Sequence, residues 1–85
     1  MMEHLKRIWI ELLDIKNFER HCVEWSNNNN VGVEYEFALY YLLLDVKFRD
    51  IFKNITINNH AKKEKILQII DTQKANIYQQ ISKTE

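Results

Sequence analysis

Between Val33 and Phe52 the chain reads VEYEFALYYLLLDVKFRDIF, twenty residues with no glycine and no proline. From Phe37 to Leu44 no side chain is charged. A helix apolar around its whole circumference has to be enclosed by other elements. In a chain of 85 residues this predicts the central helix of a small all-α domain. The chain has no proline and one glycine, Gly32, whereas an all-β protein needs turn residues at short intervals. An apolar content of 46% suffices for a packed core and exceeds what a disordered chain carries. The expected architecture is one domain over 1–85, a compact bundle of about four helices with the apolar third helix in the middle.

The first helix is expected over Glu3–Asp14, where Leu5, Ile8, Trp9, Leu12 and Leu13 repeat at helical spacing. Ile10 falls off that stripe as a candidate contact residue. Asp14 or Asn17 can cap a second helix over Phe18–Trp25, with Phe18, Cys22 and Trp25 on its buried face. Four consecutive asparagines, Asn27 to Asn30, then make a loop. The third helix is expected over Val33–Lys53, with Phe37, Tyr41, Leu44, Phe48 and Ile51 on one face and Ala38, Leu39 and Leu42 widening it. Leu43 or Leu44, Phe48 and Tyr41 are expected to be largely buried. In the polar stretch Asn54–Asn59, Ile55 and Ile57 alternate and can tuck against the core. Asn58 or Asn59 can cap the last helix, His60–Ser82, whose stripe is Ile66, Ile70, Ile77 and Ile81 with Leu67 and Tyr78 alongside. Lys83 to Glu85 are expected to fray.

The residue types exclude several chemistries. One glycine cannot build a glycine-rich phosphate loop. His21 and Cys22 are adjacent, so on a helix they diverge by ~100° and cannot share an ion. His4 and His60 lack a partner at ligand spacing, so no metal site and no cofactor is expected. Cys22 lies on an apolar face, as a small buried hydrophobe rather than a nucleophile. Asn54-Ile55-Thr56 matches the glycosylation triplet, read as a chance match. The charged N-terminal stretch is unlike a signal peptide, and Phe37–Leu44 is far short of the ~20 residues that span a bilayer. A cytoplasmic protein with no membrane partner is the expectation, and a single cysteine suits a reducing compartment.

Net charge is zero but unevenly placed. Residues 1–52 hold nine acids and six bases; residues 53–85 hold three acids and six bases. Tyr35, Tyr40 and Tyr41 sit among Glu34, Glu36 and Asp45, and consecutive helix residues cannot all face inward. An acidic-aromatic surface patch follows, of a kind that anchors protein interfaces.

The stretch Phe18–Trp25, FERHCVEW, with its neighbouring helices, resembles the colicin D-type immunity proteins over about eight residues. The matching positions are Phe18, Glu19, Arg20, Cys22, Val23 and Glu24, followed by an apolar third helix, a polar loop and a last helix. The chain departs from that family in its zero net charge and its asparagine-rich loop. The resemblance implies a non-enzymatic inhibitor whose carboxylates enter the basic cleft of a toxin nuclease in place of RNA phosphates. Its expected contacts are Glu19, Glu24, Glu34 and Glu36, with Tyr35 and Trp25 as apolar anchors. Glu34→Ala and Glu36→Ala are then expected to weaken partner binding with little change in melting temperature.

A rival reading is a small homo-oligomeric regulator touching nucleic acid through His60, Lys62, Lys63, Lys65 and Lys74. Glu64 and Asp71 interrupt that basic surface, which disfavours it. Self-association is a third reading, motivated by Ile10, Tyr40, Val46 and Ile69, which four helices do not all bury.

Overall fold

The computed structural model describes residues 2–28 and 32–84. It is all-helical: α1 Met2–Leu12, α2 Ile15–Asn27, α3 Val33–Leu43, α4 Val46–Asn54 and α5 His60–Thr84. The apolar α3 is central, packing against α1, α4 and α5, while α2 packs on α1 and α4. Asn29, Asn30 and Glu85, and the side chain of Ile81, fall outside the described residues.

The helix expected over Val33–Lys53 is two helices, so the count is five and not four. Asp45 makes the break. Its backbone is extended (φ −81°, ψ 129°) and its carboxylate accepts a hydrogen bond from the Lys47 amide at 2.8 Å. Aspartate satisfies free first-turn amides in this way. Folding back at Asp45 lets both halves cover the same core. Asp45→Ala should lower stability by ~1 kcal/mol, whereas Asp45→Asn, an equally good cap, should cost little. Thermal melts of the two variants check this, with ~4–8 °C expected between them.

The break also moves the buried side of α3. Ala38, Leu39, Leu42 and Leu43 are buried, while Phe37, Tyr41 and Leu44 are only half-buried. A helix apolar all round gives periodicity nothing to discriminate. On α4, Phe48 and Phe52 are buried, and the Phe48 ring meets Phe18 of α2 edge-on, centroids 5.0 Å apart.

Helix α2 begins three residues before the expected Phe18 and takes in Asn27, the first of the four asparagines expected in the loop. Asp14 caps α2, its Oδ1 accepting from the Lys16 amide (2.9 Å) and the Asn17 amide (3.3 Å). Phe18, Cys22 and Trp25 share the buried face. Ile57 is fully buried and Ile55 packs against the core, as the alternation in the connecting stretch requires. Asn59 caps α5 by accepting from the Lys62 amide at 3.0 Å, and Ile66, Ile70 and Ile77 face inward. Leu13 and Tyr78, expected on apolar stripes, are each 44% exposed.

Helix α5 is helical through Thr84 but kinks at Gln73 (φ −121°, ψ 23°). The preceding Thr72 hydroxyl donates back to the Gln68 carbonyl at 2.9 Å. Such back-bonding competes with the backbone ladder and bends helices. Among the described residues no helix is long and apolar enough to cross a membrane.

Candidate functional site

Helix α2 offers the most differentiated surface. Its inner side is fixed by Phe18, Cys22 and Trp25, so its outer side chains stand on a rigid base. Glu19, Val23 and Glu24 are exposed there. Glu19 and Glu24 are five residues apart, which turns them ~140° from each other on a helix. They therefore serve two different surfaces.

Glu19 borders an open groove between α2 and α4 of about 710 Å³. Val23, Ile51 and Ile55 supply its apolar wall, and Lys16, Glu19 and Arg20 supply charges on the α2 side. The periodicity of α2 places Glu19 outside, but the α4 wall depends on the break at Asp45. Val23, an apolar residue left 38% exposed, is the one sequence-level signal that could have found it.

Glu24 lies on the other side, toward α3. Its Oε2 is 3.8 Å from His21 Nδ1. The Tyr35 hydroxyl donates to the His21 carbonyl at 2.8 Å, and its ring tilts against the imidazole with centroids 5.8 Å apart. Burial raises the Tyr35 hydroxyl pKa above the usual tyrosine value, with Cys22 and Glu24 adding to the rise. Tyr35 is thus a half-buried strut between α2 and α3 rather than a free anchor.

Trp25, expected as an apolar anchor, is 2% exposed. It belongs to the core because it lies seven residues from Phe18 and three from Cys22 on one helix face. The Lys62 ammonium stands 3.9 Å from the centroid of its ring. Glu36, Trp25, Tyr40, Lys62 and Lys65 line a recess of about 310 Å³ beside it. Burial raises the Tyr40 pKa, with Glu36 contributing, and burial lowers that of Lys62, which Glu36 partly restores. Glu34 and Glu36 occupy the first turn of α3, where the helix dipole favours carboxylates. The six expected contact residues are therefore spread over three neighbouring surfaces.

The two lysines at the start of α5, named in the rival nucleic-acid reading as phosphate contacts, are half-buried and engage backbone carbonyls. Lys62 Nζ donates to the carbonyls of Trp25 (2.5 Å) and Asn28 (3.3 Å) at the end of α2. Lys63 Nζ donates to the carbonyls of Lys53 (2.6 Å) and Ile55 (2.9 Å) at the end of α4. Carbonyls in a last helical turn lack intrahelical partners, and a cation there also meets the negative end of the dipole.

Cys22 is fully buried. Burial pushes its thiol up to about 12, with Glu19 adding to the rise and Lys63 opposing it. The folded state thus holds a proton that the unfolded chain releases near 9. Stability from this group is complete below pH 9 and is lost as pH rises toward 12; Tyr35 and Tyr40 act in the same direction above 10. The thermal midpoint should be level up to about pH 9 and fall as pH rises from there toward 12. Alkylation of Cys22 by iodoacetamide at pH 8 should proceed no faster than the chain unfolds. Labelling at the rate of a free thiol would contradict its placement.

Among the described residues no group of three His, Cys, Asp or Glu side chains is arranged to hold a metal ion. Comparison with family models, with curated proteins and with solved structures finds no match for this chain.

Proposed function

We propose that this chain is a non-enzymatic protein-binding module, an immunity or antitoxin-type inhibitor that blocks a toxin nuclease. The observation that carries this reading is the outer surface of α2. There Glu19 and Val23 are exposed beside the α2–α4 groove, with Glu24 on the adjoining surface toward α3, on a helix locked from behind by Phe18, Cys22 and Trp25. A rigid display of carboxylates beside an apolar groove suits a basic protein cleft. Apolar side chains of the partner settle against Val23, Ile51 and Ile55. The carboxylates meet cations that would otherwise hold RNA phosphates, and the match of charge sets register and association rate. Lys16 and Arg20 on the same rim orient the partner through its own acids.

The reading through a basic last helix is weaker for a specific reason. Lys62 and Lys63, its two adjacent cations, already engage backbone carbonyls.

The test is co-expression with the product of the adjacent gene, followed by co-purification and a cell-protection assay. The pair should purify together and the chain should protect. Glu19→Lys combined with Glu24→Lys should weaken binding at least 100-fold, on the order of 3 kcal/mol. Both positions are exposed, so stability should change by less than ~0.5 kcal/mol per site. A chain that purifies alone and gives no protection ends this proposal.

A further inference from the structure

A second recess lies away from α2, where α1, the end of α3 and the far half of α5 meet. It has a volume of about 180 Å³. Four aromatic residues line it, Trp9, Tyr41, Phe48 and Tyr78, together with Asp45 and the leucines Leu13, Leu42 and Leu44. Trp9 stands edge-on to Tyr41 with centroids 5.3 Å apart and planes at 71°. Tyr78 stands edge-on to the same ring at 6.3 Å and 81°. Both rings are thus steeply inclined to the Tyr41 ring that they share. Leu13, Tyr78 and Asp45 are exposed and form its rim. The aromatic groups come from four separate helices, and the kink at Gln73 precedes the stretch of α5 that delivers Tyr78.

Packing alone does not account for this composition. Three leucines contribute to the lining, but four of its eight residues are aromatic and one, Asp45, is acidic. Aromatic faces carry negative potential and attract cations within ~6 Å of the centroid. A carboxylate at the mouth adds attraction for the same sign. A cavity of ~150 Å³ holds a benzene-sized group, which is about the bulk of a trimethylammonium head. The Lys47 ammonium lies 6.0 Å from the Phe48 centroid, at the outer limit of such contacts, and does not line the recess.

We infer that this recess binds a quaternary or multiply methylated ammonium group. The head is held against Trp9, Tyr41 and Tyr78, with Asp45 balancing its charge from the rim. An alkylated cation suits the site better than a bare ammonium, because methyl groups shed water readily and fill the space between rings. The inference does not depend on the α2 surface, and it stands or falls separately from the inhibitor reading.

The experiment is an NMR titration of the ¹⁵N-labelled chain, followed at the Trp9 indole N–H. That group is buried and has no hydrogen-bond partner among the described residues, so its resonance reports the ring's surroundings. The probes are choline and 3,3-dimethylbutan-1-ol, its uncharged isostere. Choline should shift the resonance saturably and bind at least several times more tightly than the alcohol. Tyr78→Leu and Asp45→Asn should each weaken choline by about three- to thirtyfold. Asparagine keeps the cap of α4, so the second variant separates charge from folding. A trimethyllysine peptide as a further titrant distinguishes the source: tighter binding than choline assigns the recess to a modified protein side chain, and equal or weaker binding to a free small cation. The inference is overturned by no saturable shift with choline, by equal affinity for the alcohol, or by unchanged affinity in both variants.

Discussion

Replacing Phe48 with alanine should leave the chain mostly unfolded at 25 °C. Phe48 is 6% exposed and abuts Phe18, itself fully buried, across the α2–α4 junction. Deleting a buried phenylalanine costs ~3–5 kcal/mol through lost transfer energy and the cavity left behind. A domain of this size stands at the lower end of the usual ~5–15 kcal/mol. Nothing else fills the gap, because α4 has only nine residues and two buried side chains. Denaturant melts followed by circular dichroism measure the loss. A double-mutant cycle with Phe18→Leu should show coupling of ~0.5–1.5 kcal/mol from the edge-to-face contact. A loss below ~1 kcal/mol for Phe48→Ala would mean that the α2–α4 junction is not part of the core.

The second large effect is expected from Lys62→Met combined with Lys63→Met. Each ammonium donates to two carbonyls at the end of a different helix, so the start of α5 is tied to both α2 and α4. Methionine keeps much of the apolar stem and removes the charge and the donors. Hydrogen bonds from charged groups contribute ~1.5–3 kcal/mol when shielded. These are partly open to water, which brings the pair to roughly 2–3 kcal/mol. The thermal midpoint should fall by ~10–20 °C. Lys62→Met alone should exceed a simple half, since it also removes the cation over the Trp25 ring. A fall under ~2 °C would show that water serves those carbonyls as well as lysine does.

Much of the fold could be read from residues taken locally. Asp14 followed by Phe18, Cys22 and Trp25 is a cap and an apolar stripe, and α2 forms around them, extending to Ile15 and Asn27 beyond the expected Phe18–Trp25. Asn59 likewise announces α5. The break at Asp45 was equally local: an aspartate ending an apolar run, followed by a second amphipathic pattern. It was masked because a run without glycine or proline reads as one helix. The bend at Gln73 is subtler, since threonine in a helix bends it only when its hydroxyl turns back.

The candidate surfaces were legible only as charges. Glu19 and Glu24 were rightly placed outside, but the ~140° between them is helix geometry that divides the patch in two. Trp25 was assigned both to the buried face and to the partner, and its spacing from Phe18 allows only the first. The attachment of Lys62 to Trp25 spans 37 residues, and the aromatic recess draws on α1, α3, α4 and α5. Neither carries a short-range signal, because tertiary packing alone brings those groups together.

The two lysines have a consequence for how this protein responds to ionic strength. Their partners are carbonyl dipoles, not carboxylates. Charge–dipole attraction falls off faster with distance than charge–charge attraction, so it acts at contact range. Mobile ions screen interactions reaching beyond a Debye length of ~8–10 Å at moderate salt and leave closer, shielded ones largely intact. With formal net charge zero, there is also little overall self-repulsion for salt to relieve. Sodium chloride therefore has little purchase on these two lysine anchors, whereas the partly exposed Arg49–Asp71 ion pair between α4 and α5 is open to screening, as is any complex made through the α2 carboxylates.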